Sequence, residues 1–178
     1  MKKILVISTS PRRGSNSEAL ADAFASGARE AGHEVELVSL RGKDVQFCRG
    51  CFVCQETQRC VIHDDADTLR QKALEADVLV FATPIYYYEM SGQLKTLLDR
   101  FNPLFPSDYA FRDVYLMTAA AEDEDFVPQR ALNGLEGWVE CFERTKLAGH
   151  VFMGGVTEAG EKPEHPALRQ ARSMGRNA

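Results

Sequence analysis

The chain alternates short, continuous apolar runs with longer stretches in which apolar residues recur every three or four positions. Residues 3–8 (KILVIS) form one such run, and its continuity is typical of a strand covered on both faces. Residues 15–31 instead show a helical period that stops at Gly32. The same criteria predict strands at 3–8, 34–40, 77–83, 114–120 and 147–153, and helices at 15–31, 64–76, 91–101, 128–145 and from 166 onward.

Five strands separated by helices predict an α/β fold. Such an alternation produces a parallel sheet with right-handed crossovers and helices on both faces, which gives three layers. A length of 178 residues suits one ordinary domain, so we expect a single doubly wound domain over residues 1–178. Two strand orders are common in this class, and the loop after the first strand distinguishes them.

Composition and charge limit the classes of partner that the chain can have. The 26 acidic residues outnumber the 21 basic ones, which disfavours a nucleic-acid partner held by phosphate neutralisation. The apolar run near the start covers only residues 4–7, too short for a secretory signal or a membrane span. We therefore expect a cytoplasmic protein without a membrane partner, whose cysteines are reduced.

The loop after the first strand is rich in groups that bind phosphate. Residues 8–17 read STSPRRGSNS, without the glycine pattern of a dinucleotide loop or a P-loop. Hydroxyl and amide side chains lead directly into a helix N-terminus, whose free N–H groups and dipole attract anions. Helix capping needs only one such residue, so the excess, with Arg12 and Arg13, predicts a phosphate site.

Two segments resemble a known family. The S-x-S-P-R-x-G-S-N-S loop is similar to the FMN phosphate loop of the flavodoxin-like NAD(P)H-dependent FMN reductases. Residues 82–100, ATPIYYYEMSGQLKTLLDR, resemble the segment that lies against the isoalloxazine ring in that family. The resemblance implies a flavodoxin-like sheet of order 2-1-3-4-5, bound FMN, NAD(P)H as co-substrate, and a homodimer or homotetramer.

Three loops at the carboxyl edge of the sheet supply the predicted flavin site. Small residues at the end of the fourth strand permit a close approach of the ring, and Pro84 and Ile85 offer it an apolar wall. The predicted cofactor-binding residues are Ser8, Ser10, Pro11, Arg12, Arg13, Ser15, Asn16 and Ser17, then Thr83, Pro84, Ile85, Tyr86 and Tyr87, then Ala119, Ala120, Ala121 and Glu122. Lys95, Asp99 and Arg100 are interpreted as structural helix residues. No catalytic side chain is predicted, because the flavin carries the chemistry.

Four cysteines lie within thirteen residues. Cys48, Cys51, Cys54 and Cys60 are spaced C-x2-C-x2-C-x5-C, which resembles the compact motif of the iron–sulfur flavoproteins, a branch of the same group. They are candidate ligands of a [4Fe–4S] cluster; a zinc site and thiols without a metal are the alternatives. Cys141 is far away on a predicted helix and is expected in the core.

The resemblance therefore implies an oxidoreductase. Electrons would pass from a nicotinamide through FMN to a small acceptor such as a quinone, a flavin or a metal ion. The alternative is an iron–sulfur flavoprotein or flavodoxin-type carrier that exchanges electrons with a cluster or a redox protein.

Overall fold

Five parallel strands form the centre of the computed structural model, which describes residues 1–178. Their order in the sheet is β2-β1-β3-β5-β6, and the short β4 pairs antiparallel with the end of β3. Counting the parallel strands alone, this is the predicted order 2-1-3-4-5, so the flavodoxin-like fold is confirmed. The strands are β1 (Lys3–Ser8), β2 (Glu34–Ser39), β3 (Val78–Tyr86), β4 (Glu89–Met90), β5 (Asp113–Ala119) and β6 (Lys146–Met153).

Helices cover both faces of the sheet. Alternate residues of β1 point to opposite sides, so that Ile4 and Val6 contact one helix layer while Leu5 and Ile7 contact the other. The first layer contains α1 and α6, and the second contains α3, α4 and α5. No helix has the length and apolarity required to cross a bilayer. The helices are α1 (Asn16–Glu30), α2 (Val53–Thr57), α3 (Asp65–Glu75), α4 (Gly92–Arg100), α5 (Gln129–Val139) and α6 (Pro166–Arg176).

The predicted helix at 128–145 is too long. Helix α5 ends at Val139, because the N–H groups of Cys141 and Phe142 bond carbonyls three residues back rather than four. This tighter turn brings the Phe142 ring to 4.6 Å from the ring of Trp138, within the aromatic part of the core. Three other elements differ from the prediction: β3 continues to Tyr86, the short strand β4 is additional, and the short helix α2 lies in the cysteine segment.

Helices α1 and α6 touch through glycines. A Cβ at Gly27 would lie 1.9 Å from the carbonyl oxygen of Arg172, and one at Gly175 would lie 2.1 Å from that of Phe24. These distances leave no room for any side chain, so the two backbones meet directly. The contact fixes α6 along the helix that follows the first loop.

Candidate functional site

The carboxyl edge of the sheet brings the three predicted loops together. Thr9 donates its N–H to the carbonyl of Ala82 at 2.9 Å, which joins the first loop to β3. Its hydroxyl lies 3.1 Å from that of Ser91, the N-cap of α4. Tyr88 donates its hydroxyl to the carboxylate of Glu122 at 2.9 Å, which joins the β3–β4 turn to the loop after β5.

The polar side chains of the first loop are buried, although few of them bond one another. Ser8, Ser10, Ser15, Asn16 and Ser17 are at most 3% exposed. Ser8 Oγ is buried without any hydrogen-bond partner. The backbone N–H groups of Asn16 and Ser17, in the first turn of α1, also donate to no group of the chain. Buried donors without acceptors are costly, and this arrangement fits a phosphate ester, whose oxygens would accept from them.

Two side chains of the first loop bond a segment that is distant in the sequence. Arg12 donates to the carbonyl of Thr157 at 2.9 Å, and the Asn16 amide donates to that of Glu158 at 2.9 Å. The N–H of Gly160 returns a bond to Asn16 Oδ1. Arg13 is exposed and forms no ion pair or hydrogen bond in the structure. The segment 157–160 was not predicted as part of the site, because no sequence pattern links it to a loop so distant along the chain.

Arg41 fixes the outer side of the same loop. Its guanidinium donates to the carbonyl of Arg12 and to the carboxylate of Glu18 at 3.2 Å. Burial alone would raise the pKa of Glu18, but the hydrogen bonds from Arg41 and from the N–H of Gly14 outweigh it and hold the pKa below its usual value. The loop therefore has a fixed shape with its anion-binding groups in place.

A cavity of about 200 Å³ lies between the second and third loops. It is lined by five of the predicted cofactor-binding residues, together with Tyr88 and Val127. Thr83, Pro84 and Ala119 lie behind it: Pro84 is paired with Ala119 across the sheet, and Thr83 Oγ1 accepts the N–H of Ser91 at 3.0 Å. Tyr86 projects outside. The lining residues are Ile85, Tyr87, Tyr88, Ala120, Ala121, Glu122 and Val127.

The turn between β3 and β4 is strained. Tyr87 and Tyr88 have φ angles of 50° and 66°, the left-handed pair that a two-residue hairpin needs and that Asn and Gly normally supply. A bulky residue in this conformation costs on the order of 1–3 kcal/mol. The hydrogen bond to Glu122, followed by the charge of that carboxylate, raises the pKa of the Tyr88 phenol, so it stays protonated and donates.

The cysteine segment does not gather its sulfurs around one point. Cys54 is buried, whereas Cys48 and Cys51 are exposed and Cys60 is half-buried. No three side chains of Cys, His, Asp or Glu lie close enough together to hold a metal ion. The sulfurs of Cys48 and Cys60 accept N–H groups two residues ahead, at 3.4 and 3.5 Å. Burial raises the pKa of Cys54 despite a hydrogen bond from Asn102, so this thiol is neutral at pH 7.

A cavity larger than the predicted ring site adjoins this segment. It measures about 540 Å³ and lies between the cysteine segment and helices α4 and α5. Cys48 and Cys141 both line it. The expectation that Cys141 belongs to the core is wrong: its side chain is exposed, because α5 ends two residues before it.

Arg100 has a structural role, as the sequence predicted. Its guanidinium and the Asp64 carboxylate are each 1% exposed and lie 2.6 Å apart. It also donates to the carbonyls of Gln46 and Ile62. Burial alone would lower the pKa of Arg100, but the hydrogen bond and the charge of Asp64 outweigh burial, so the pKa is raised above its usual value. The pair attaches both ends of the cysteine segment to α4.

Comparison with known proteins agrees with this arrangement. A family model described as NADPH-dependent FMN reductase matches residues 2–159. The chain is 29% identical to an iron–sulfur flavoprotein of Methanosarcina thermophila over 87% of this chain and 82% of that protein. It is 39% identical to an iron–sulfur flavoprotein of Methanocaldococcus jannaschii over 57% of this chain and 53% of the relative, so this match spans about half of the relative.

Among solved structures, the fold is similar to that of an NAD(P)H:quinone oxidoreductase from Methanothermobacter marburgensis. The TM-score is 0.74 at 18% identity, over 99% of this chain and 98% of that one. At that identity the likeness concerns the fold alone. The family model, which covers most of the chain, shows more: this protein belongs to the NADPH-dependent FMN reductase family.

Proposed function

We propose that this chain binds FMN at the carboxyl edge of its sheet and transfers electrons from NAD(P)H to a small acceptor, with a quinone as the reference case. For a quinone the balanced reaction is NAD(P)H + H⁺ + quinone → NAD(P)⁺ + hydroquinone. When bound, FMN supplies the ability to accept a hydride and to pass its two electrons on. The observation that carries the proposal is the unpartnered Ser8 hydroxyl together with the free N–H groups of Asn16 and Ser17, at the same edge of the sheet as the ring cavity.

The first loop would hold the phosphate. Ser10 and Ser17 supply hydroxyls, the start of α1 supplies N–H groups and its dipole, and Arg12 and Arg13 offset the charge. Ser8 Oγ lies on the α1 side of β1, where an additional donor is without an acceptor.

The ring cavity would hold the flat part of the cofactor. Ala120 and Ala121 present almost no side chain, so that a ring can approach the backbone closely, and Ile85 excludes water from the facing wall. Glu122 lines the cavity, and Glu124 is close enough to act on the charge of the Tyr88 phenol. Their charge would disfavour an anionic reduced ring by the same electrostatics that raise the pKa of a carboxyl beside another carboxylate.

The double substitution Ser10→Asp and Ser15→Asp tests the phosphate site. Asp is a good N-cap, so α1 is preserved while two carboxylates are placed beside the phosphate. We expect the FMN dissociation constant, measured by quenching of flavin fluorescence, to rise at least 100-fold. Ser173→Asp, an exposed position on α6, is the matched control. Unchanged FMN affinity in the double variant would refute the assignment.

Stopped-flow mixing with a nicotinamide distinguishes an oxidoreductase from a plain electron carrier. We expect the flavin absorbance of the FMN-loaded protein to bleach on addition of NADPH or NADH. A flavodoxin-type carrier would bleach with dithionite and with neither nicotinamide.

An oligomer is part of the proposal. Tyr86, Tyr87 and Phe126 are large and exposed beside the ring cavity, and such a patch favours a protein contact. We expect a homodimer or homotetramer by sedimentation equilibrium, and a monomer at micromolar concentration would contradict this.

A second candidate, an iron–sulfur flavoprotein, is supported by the names of the relatives and by the N–H···S bonds at Cys48 and Cys60. Because the four sulfurs do not converge, no electron-transfer step is derived through a cluster. Anaerobic reconstitution with iron and sulfide tests this candidate. Bound iron and broad absorbance that disappear in Cys54→Ser would support it, and flavin bands alone without iron would exclude it.

A further inference from the structure

An exposed segment is bonded to the buried first loop. Residues 157–160, which we call the strap, are exposed, yet two hydrogen bonds join them to the side chain of Asn16. The amide of Asn16 donates to the carbonyl of Glu158 at 2.9 Å, and its Oδ1 accepts the N–H of Gly160 at 3.3 Å. Both polar atoms of this amide are therefore engaged by the strap.

The groups expected to bind the phosphate are closed off from solvent. Ser10 and Ser17 are each 1% exposed, and Ser15 is 2% exposed. A phosphate that enters from solvent cannot reach these groups until an element that covers them moves. The strap is the element best placed to move, because it is exposed and is joined to the first loop by a few hydrogen bonds.

The two ends of the strap suit a hinged movement. Just before it, Val156 donates its N–H to the carbonyl of Ala120 at 2.9 Å, which fixes that end to the loop after β5. Gly155 and Gly160 have φ angles of 66° and 68°, in the left-handed region that glycine adopts without strain. Hinges are a few loop residues that absorb changes of this kind. The residues between the two glycines can therefore move away from the first loop while both flanks stay in place.

We propose that Asn16 is a positioning residue, which latches the strap over the phosphate site and keeps FMN bound through successive turnovers. FMN then serves as a prosthetic group rather than as a substrate that exchanges with the solution. Only the open strap admits or releases FMN. Because Asn16 closes the strap with and without FMN, it lowers both rates and leaves the affinity nearly unchanged. The inference rests on the proposed function and adds to it how the cofactor is retained.

Binding rates separate a latch from a phosphate ligand. Stopped-flow quenching of FMN fluorescence gives the association rate constant of protein freed of FMN, and dilution of the loaded protein gives the dissociation rate constant. We expect both rate constants to rise about tenfold in Asn16→Ala, as loss of two hydrogen bonds would give, while the dissociation constant changes less than about threefold. Ser17→Ala, which removes a hydroxyl assigned to the phosphate, should instead raise the dissociation rate constant alone.

Glu161→Ala loosens the strap from its far side, without altering the first loop. The Glu161 carboxylate accepts the N–H of Thr157, and this bond spans the Gly160 hinge, so that opening the strap breaks it. We expect both rate constants to rise about threefold, because the bond is exposed. Glu164→Ala, which removes an exposed glutamate outside the strap, is the matched control and should change neither. If Asn16→Ala does not fold, the comparison of Glu161→Ala with this control decides the outcome.

The inference is overturned if Asn16→Ala raises the dissociation rate constant alone, because Asn16 would then be a phosphate ligand, or if it changes neither rate constant. It is also overturned if FMN leaves the unmodified protein faster than the protein turns over with NADPH or NADH and menadione. Failure of the proposed function looks different, because the unmodified protein would then bind no FMN or would not bleach with either nicotinamide.

Discussion

Replacing Arg100 by Met tests how the cysteine segment is attached to the fold. The guanidinium forms two bonds to Asp64, at 2.6 and 3.0 Å, and one each to the carbonyls of Gln46 and Ile62 at 2.9 and 3.0 Å. Methionine fills much of the volume but leaves a buried carboxylate without its cation. Removing one partner of such a pair costs about 3–5 kcal/mol, a large part of the roughly 5–15 kcal/mol that stabilises an ordinary domain.

The decrease in the free energy of unfolding can be measured by urea unfolding at pH 7. The fluorescence of the single tryptophan, Trp138, follows the transition. Lys95→Met is the matched control, because it breaks a pair with Asp99 on the same helix whose side chains are 61% and 48% exposed. That change should cost at most about 0.5 kcal/mol. If Arg100→Met costs no more than the control, the buried pair does not attach the segment.

The Arg100–Asp64 pair also makes the loss of stability in Arg100→Met depend on pH. Burial alone would raise the pKa of Asp64, but hydrogen bonds from Arg100 and two backbone N–H groups outweigh it and lower the pKa. A lowered pKa in the folded state stabilises the protein above the unfolded value of about 4, and this stability disappears as the pH falls through the folded value. The stability difference between the unmodified protein and Arg100→Met should therefore shrink below about pH 4.

Two other predictions concern the packing of the sheet and its helices. Gly175→Ala places a Cβ about 2.1 Å from the carbonyl oxygen of Phe24 and should lower the unfolding free energy in urea by about 1–3 kcal/mol; no loss would mean that α6 can move away freely. Burial lowers the pKa of His150 to about 4, so the unfolded chain takes up a proton first and stability falls as the pH drops from 6.5 toward 4. His150→Gln should remove up to about 3 kcal/mol of that decline, and identical acid profiles for the two proteins would contradict the shift.

The sheet and the first loop could be predicted from the sequence because their signals are local. A continuous apolar run such as residues 3–8 predicts a strand that is buried on both faces. A row of hydroxyl side chains before a helix predicts an anion site, independently of the rest of the chain. The alternation of elements then predicted a doubly wound sheet, and the resemblance of the first loop to an FMN phosphate loop predicted its strand order.

What the sequence could not predict depends on contacts between distant positions. The hydrogen bonds from Arg12 and Asn16 to residues 157 and 158 span more than 140 positions, and no periodicity reports them. The bond from Tyr88 to Glu122, which closes the ring cavity, spans 34 positions. The end of α5 depended on Phe142 joining an aromatic cluster, where tertiary packing outweighed a helical pattern.

The glycine contact between α1 and α6 ties the cofactor end of the protein to its last helix. Helix α1 begins at the predicted phosphate loop. Its later turns pack directly against the backbone of α6, with no space for a side chain between them. A substitution near residue 175 should therefore displace the start of α1 near residue 15. The purified protein should then lose bound flavin, and with it its yellow colour, although no atom of α6 would touch the phosphate.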